Sequence, residues 1–137
     1  MLYALASGSI LFLLDRWSKK AAQVQAGKSF LSYGPLLRIR YLPHFRTHYK
    51  QRAVRGGLFL LWIASLGCAI ALSHSAKSFQ SASAMIGLGL AFGGAAGNLL
   101  DILELHYIVN FIDLRWWPVF NLADLGIVTG LAMAFFL

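Results

Sequence analysis

The chain has 137 residues, of which 58% are hydrophobic and 12% charged, and its mean hydropathy is +0.65. A soluble domain usually carries about a quarter charged residues, so the composition excludes an ordinary soluble protein and predicts a small membrane protein built as one domain over 1–137. The net charge of +7 does not indicate nucleic-acid binding, because ten of the twelve Lys and Arg residues lie between Arg16 and Arg55, beside apolar segments where they are expected to contact anionic lipid.

Four apolar segments predict four transmembrane helices, so the expected fold class is an all-α membrane bundle. A span needs about 20 residues of helix, with a working range of about 17–25. The predicted spans are about 1–22, 57–73, 82–101 and 119–137. The first segment has no charged start and no small-residue cleavage site, which favours a span over a removable signal peptide.

The connections between the predicted spans differ in character. A surface loop at 25–56 contains LLRIRYL at 36–42, bracketed by Pro35 and Pro43, and its alternation of apolar and basic residues predicts a short strand pair on the membrane surface. A short polar turn is predicted at 74–81. The loop at 102–118 ends in RWWP, whose tryptophans fit the aromatic belt at a membrane boundary.

Small residues in the third predicted span indicate close helix packing. Gly89, Gly93 and Gly97 are spaced by four, and small residues on one helix face let backbones approach closely in lipid. The single cysteine, Cys68, excludes an internal disulfide, and no Cys/His spacing typical of zinc is present, so no metal site is expected.

Three of the five acidic residues follow an asparagine by three positions. The pairs are Asn98–Asp101 at the end of the third span, Asn110–Asp113 in the next loop, and Asn121–Asp124 in the fourth span. Asp124 is predicted about one and a half turns inside that span, on the same face as Asn121. Because one loop joins these two spans, all three pairs are expected to converge at one end of the bundle.

Converging carboxylates have a chemical use. Two carboxylates a few ångströms apart share a proton, so that one activates water while the other polarises a carbonyl, as in aspartic peptidases. The alternative is that these polar side chains only hydrogen-bond the helices together. Spacing alone leaves both interpretations open.

Three stretches lie where such chemistry would be placed: DRWSK at 15–19, GGAAGNLLD at 93–101 and PVFNLAD at 118–124. In order and spacing they resemble the Asp-x-x-Ser/Thr-Lys, Gly-Gly-Ala-x-Gly-Asn-x-x-Asp and Pro-x-Phe-Asn-x-Ala-Asp motifs of the signal peptidase II family, the bacterial lipoprotein signal peptidases. The resemblance covers nearly the whole chain. It implies an intramembrane aspartic endopeptidase that cuts the signal peptide of a prolipoprotein just before a lipid-modified cysteine.

The resemblance also implies a multi-pass protein of the bacterial inner membrane, surrounded by membrane lipids, with a lipid-modified prolipoprotein as substrate and no metal or organic cofactor. A monomer is expected, and nucleic acid is not expected as a partner. By position, Asp124 matches one catalytic aspartate of the family. The positions that match supporting polar residues are Asp15, Lys19, Asn98, Asp101 and Asn121.

The chain departs from the family where the second catalytic aspartate is expected. That position holds Asn110, which cannot accept or release a proton. Asp113 or Asp101 is a candidate to replace the missing acid. Ile102 stands where the family has arginine, and the surface tract at 44–49 places His44 where the family has asparagine. His44 or His48 is a candidate base if this loop folds over the site.

Three hypotheses therefore remain: a divergent protease, a relative that binds lipidated or single-span peptides without cleaving them, and a membrane subunit whose polar residues only pack. Orientation is also open. The positive-inside rule places the basic 16–55 stretch in the cytoplasm, whereas the family layout places it outside with the catalytic end.

Overall fold

A computed structural model describes residues 1–25, 31–33, 37–39, 52–75 and 77–137. Within these residues the chain forms four helices: α1 (Leu2–Gln25), α2 (Arg52–Ser75), α3 (Ala82–Glu104) and α4 (Leu122–Phe136). It also forms three short strands: β1 (Leu31–Tyr33), β2 (Leu37–Ile39) and β3 (Ile112–Asp113). The mostly helical architecture with a small β element agrees with the predicted fold class.

Each predicted span corresponds to one helix, but the boundaries differ. The helix α1 continues through charged sequence to Gln25, and α2 begins in charged sequence at Arg52. Lysine and arginine are good helix formers, so these charged residues do not end a helix. The predicted turn at 74–81 is partly helical, because α2 continues to Ser75 and a 3₁₀ turn follows. Ser81 then caps α3 by accepting a hydrogen bond from the N–H of Ala84 at 3.1 Å.

Two of the described helices are long and apolar enough to cross a membrane, α2 over Arg52–Ala71 and α3 over its whole length, and α4 is a shorter apolar helix. The second half of α1 is charged, so α1 is less apolar over a membrane-length stretch than these helices. Large apolar side chains such as Leu5, Leu60 and Val128 are exposed on the outer faces of α1, α2 and α4. Extensive exposed apolar surface of this kind is typical of contact with lipid.

The third helix is the centre of the bundle, with α1 and α4 packed against it and α2 held by fewer contacts. A Cβ atom on Gly93 would meet the backbone of Gly8 in α1, and one on Gly130 in α4 would lie 2.5 Å from the carbonyl oxygen of Gly87. Gly89 and Gly97 likewise face α1, at Ala4 and at the Asp15 carboxylate. The predicted packing role of the glycines spaced by four is confirmed.

The strands form one antiparallel sheet in the order β1-β2-β3. Ile39 lies opposite both Leu31 of β1 and Ile112 of β3. The predicted strand pair is present in the surface loop as β1 and β2, with β2 inside the 36–42 stretch and β1 before it, and β3 adds a third strand from the loop after α3. The sheet ties the loop after α1 to the loop before α4. Pro35 and Pro43 lie outside the described residues.

Candidate active site

The fourth helix begins with reciprocal hydrogen bonds between Asn121 and Asp124. The Oδ1 of Asn121 accepts from the N–H of Asp124 at 2.8 Å, and the N–H of Asn121 donates to Asp124 Oδ2 at 3.2 Å. This capping box satisfies two N–H groups at the helix start and places a negative charge at its favourable end. The prediction that Asp124 lies one and a half turns inside the helix is wrong, because Asp124 is in the first turn. The helix starts late because Phe120 is held in a β-bridge to Ile112.

The same β-bridge brings Asn110 beside Asn121. The N–H of Ile112 donates to the carbonyl of Phe120 at 2.9 Å, and the reverse bond measures 3.0 Å. Between them the loop passes through Arg115, whose φ of 66° is in the left-handed region. The pairing leaves the two asparagines adjacent, with Asn121 Nδ2 donating to Asn110 Oδ1 at 2.8 Å.

Asn98, near the end of α3, connects this pair to the acid of α4. Its Nδ2 donates to Asp124 Oδ1 at 2.8 Å, and its Oδ1 accepts from Asn121 Nδ2 at 3.0 Å. A continuous set of hydrogen bonds therefore runs from Asp124 through Asn98 and Asn121 to Asn110. We call these four residues the polar cluster. Side chains from the predicted Asn-x-x-Asp pairs of two helices and the intervening loop do meet at one place.

A buried charged layer lies against the polar cluster. Lys19 Nζ lies 2.6 Å from Asp15 Oδ2, 2.8 Å from Asp101 Oδ2 and 3.0 Å from Asn98 Oδ1. The other oxygen of Asp15 accepts from the N–H of Ala123 at 2.9 Å. Asp15, Lys19 and Asp101 are at most 2% exposed. Because α1 supplies both charges that contact α3 and α4, this layer locks the relative positions of the three helices.

Arg16, which the sequence motifs did not indicate, extends this layer together with Glu104. Arg16 Nη1 lies 3.1 Å from Asp101 Oδ1, and Arg16 Nη2 lies 2.9 Å from Glu104 Oε2. Asp101 is therefore neutralised from two sides, by Arg16 and Lys19. A signal was available: these two cations are three residues apart, a spacing that places them on one helix face.

The two acids considered as replacements for the missing aspartate have other partners. Besides its two cations, Asp101 accepts from the N–H of Val109 at 3.2 Å, and in the described part of the chain its contacts do not include Asp124. Asp113 is buried and accepts from the N–H of Arg115 at 2.8 Å. Burial alternates from Val109 to Asp113, so Asp113 and Asn110 lie on opposite sides of this segment. His44 and the rest of 44–49 lie outside the described residues.

Two apolar clefts flank the polar cluster. The first, which we call the α4 cleft, has a volume of about 290 Å³ and contains Asp124 in a wall that includes Trp116, Trp117 and Val128. The second, the α2 cleft, also measures about 290 Å³, lies between α2, α3 and α4, and contains Asn98 in its wall. Asp124 and Asn98 of the cluster thus each line an apolar cleft, which suits an apolar ligand.

The chemistry open to the polar cluster follows from its residue types. Asp124 is its single ionisable member, and both of its carboxylate oxygens accept hydrogen bonds. A carboxylate can act as a general base and take a proton from water. Asn110 can donate from Nδ2 to a carbonyl oxygen but cannot exchange a proton. The described residues contain no group of three or more His, Cys, Asp and Glu side chains placed to hold a metal ion.

Comparison of the sequence with known proteins identifies the family of this chain. Residues 8–137 match the family model for signal peptidase II. The lipoprotein signal peptidase of Pelotomaculum thermopropionicum is 64% identical over 124 residues, which cover 89% of this chain and 82% of that protein. The lipoprotein signal peptidase of Rhodococcus jostii is 31% identical over 116 residues, and the match spans 80% of this chain but 57% of that longer protein.

The fold is also found among solved structures. A bacterial membrane enzyme superposes with a TM-score of 0.75 at 19% sequence identity, covering 95% of this chain and 88% of its own. At that identity the likeness shows a shared fold. The sequence match shows more, because it combines a family model over residues 8–137 with a relative that is 64% identical over 89% of the chain. On that ground the chain belongs to the signal peptidase II family.

Proposed function

We propose that all four helices cross the bacterial cytoplasmic membrane as a single domain over 1–137, with the polar cluster inside the bilayer. The 15 residues of α4 make a helix about 22 Å long. The hydrocarbon core is about 30 Å thick, so a helix that reaches one boundary begins about 8 Å inside the other. The pairing of β2 with β3 supports placing the basic loop and the polar cluster on the same side.

The proposed activity is slow cleavage of a prolipoprotein signal peptide just before a lipid-modified cysteine, by an aspartic-type mechanism. Asp124 takes a proton from the attacking water while the Asn110 amide donates a hydrogen bond to the scissile carbonyl oxygen. Asp15, Lys19, Asn98, Asp101 and Asn121 support the site by holding the polar cluster together. The two clefts have the apolar walls that the signal peptide and the acyl chains require.

Asn110 sets the expected rate. In a two-carboxylate mechanism one acid accepts the proton of water and the other protonates a substrate atom. In this chain Asp124 must both take the proton and return it to the leaving amine. Loss of one acid–base partner typically slows a reaction by about 10²–10⁴-fold.

A second candidate function is binding of lipidated or single-span peptides without cleavage. The observation that favours it is the hydrogen bond from Asn121 to Asn110. This bond holds an amide at the position in the cluster where cleavage would need a second acid. The observation that supports cleavage lies at the other end of the same cluster, at Asp124. There Asp124 is held between its own helix cap and Asn98, with the α4 cleft open beside it.

The experiment that separates the candidates is restoration of the acid. The natural chain, Asn110→Asp and Asp124→Ala are each purified in detergent and mixed with a prolipoprotein that carries a diacylglyceryl cysteine. We expect slow cleavage by the natural chain, a kcat/KM about 10²–10⁴-fold higher for Asn110→Asp, and none for Asp124→Ala in either background.

Each other outcome has a meaning. Cleavage by Asn110→Asp alone would establish the binding candidate for the natural chain. Equal rates for the natural chain and Asn110→Asp would contradict the argument from Asn110, and Asp113→Asn and Asp101→Asn would then identify the acid in use. Absence of both binding and cleavage in every variant would refute the proposal.

A further inference from the structure

Within the described part of the chain, the indole N–H of Trp62 on α2 is a buried hydrogen-bond donor without an acceptor. Among the residues that the structure describes, two buried side-chain polar atoms lack a hydrogen-bond partner, Trp62 Nε1 and Asp15 Oδ2. The oxygen of Asp15 is accounted for by Lys19 at 2.6 Å. Trp62 Nε1 has no such contact. Buried donors in folded proteins are almost always paired, because an unpaired one destabilises the fold.

The indole ring that carries this donor belongs to the wall of the α2 cleft, and the ring must turn for Nε1–H to reach a ligand there, because Nε1 itself has less than 1 Å² of accessible surface. Trp62 lines that cleft together with Ser65 of the same helix and Asn98 of α3. The hydroxyl of Ser65 donates to the carbonyl of Trp62 itself at 2.8 Å, within the helix. On the opposite wall Asn98 donates to Asp124 at 2.8 Å, so the cleft that contains the indole is continuous with the polar cluster.

The cleft has access for a bound chain and room for a short segment of it. Its volume of about 290 Å³ is just below the lower limit of small-ligand pockets, about 300 Å³, so it takes part of a chain and not a whole peptide. It lies between α2 and the rest of the bundle, and α2 makes fewer contacts with α3 than α1 and α4 do. An elongated ligand can therefore lie beside α2 without displacing the tightly packed helices.

Resting on the proposed function, we infer that Trp62 positions the substrate, its Nε1–H donating to a backbone carbonyl oxygen of the signal peptide in the α2 cleft. A peptide must leave its helix around the bond to be cut, and this frees backbone carbonyls. No water replaces the lost hydrogen bonds within lipid, so the protein must supply donors. The acyl chains of the modified cysteine need no donor, which favours the peptide as the occupant of this cleft.

The test is Trp62→Phe, which keeps an aromatic ring and removes the N–H. Trp17→Phe is the matched control, since Trp17 is 71% exposed on α1. For each variant we measure the thermal midpoint without ligand and the Kd for a synthetic signal peptide carrying a diacylglyceryl cysteine, in detergent. Trp62→Phe is expected to weaken binding about tenfold, equal to about 1.4 kcal/mol. Its midpoint without ligand should stay close to that of the natural chain, because no acceptor among the described residues loses its donor.

A purely structural tryptophan would behave differently, lowering the midpoint without changing affinity, and that result would overturn the inference. So would an effect of Trp62→Phe on binding of diacylglycerol alone with none on the peptide, which would assign the donor to a lipid ester. In the Asn110→Asp background Trp62→Phe should raise KM. Continued cleavage with an unchanged KM would refute the inference and leave the proposed function standing, whereas absence of peptide binding by the natural chain would refute both.

Discussion

Replacing Lys19 with methionine is expected to remove much of the stability of the bundle. Lys19 Nζ lies 2.6 Å from Asp15 and 2.8 Å from Asp101, and all three residues are at most 2% exposed. Methionine keeps the apolar stem and deletes the charge. Asp101 retains Arg16 at 3.1 Å, so the uncompensated charge falls on Asp15. Breaking a buried ion pair from one side typically destabilises by about 3–5 kcal/mol, and we expect that loss here.

The measurement is the free energy of unfolding in detergent micelles. Lys20→Met is the control, because Lys20 is exposed on the same turn and its replacement should change stability by less than about 0.5 kcal/mol. A second comparison adds Asp15→Asn to Lys19→Met. The double variant should be more stable than Lys19→Met alone, since the unpaired charge is gone.

Two results would refute this reasoning. One is a destabilisation by Lys19→Met no larger than that of Lys20→Met. The other is a double variant no more stable than the single one, which would mean that the charge of Asp15 is not the source of the loss. Either would show that the charged layer does not hold the helices together.

Two further predictions concern packing and capping. Gly93→Ala should destabilise by about 1–3 kcal/mol because its methyl group would meet the backbone of Gly8, whereas Gly67→Ala, with open space around it, should be neutral or stabilise by up to about 1 kcal/mol; equal thermal shifts would contradict the packing argument. Asn121→Ala should lower the free energy of unfolding by about 0.5–2 kcal/mol, because the helix cap is lost. In the Asn110→Asp variant it should also slow cleavage, because Asn121 contacts both Asn98 and Asn110. Unchanged cleavage would show that the cluster does not need its central amide.

The local pattern of residues along the chain was sufficient to predict the helices and part of the candidate site. Each helix contains a long apolar run, and the length of such a run is visible in the chain itself. The glycines spaced by four predicted a close approach, since helical periodicity alone puts them on one face. The repeated Asn-x-x-Asp pairs indicated the three asparagines and Asp124, which do meet, but they also indicated Asp113, which lies on the other side of its segment from Asn110.

The errors came from contacts between distant segments. The start of α4 at Leu122 depends on the bridge between Ile112 and Phe120, which no local propensity predicts. The addition of β3 to the predicted strand pair likewise depends on a contact with the loop after α3. The sequence does not indicate that Trp62 carries an unpaired donor, because such a donor is defined by everything around it in the fold.

By itself, the sequence determined that the chain is a membrane-type helical protein of a recognisable family, with Asn110 at a position where an acid is expected. These properties depend on residue identity and spacing along the chain. The tertiary structure decided that Asp124 is held at a helix cap, that Asp101 is committed to Lys19 and Arg16, and that Asn110 shares a hydrogen-bonded cluster with Asp124. The reason is geometric: a hydrogen bond or ion pair forms only within about 3 Å, and folding alone brings residues from different helices that close.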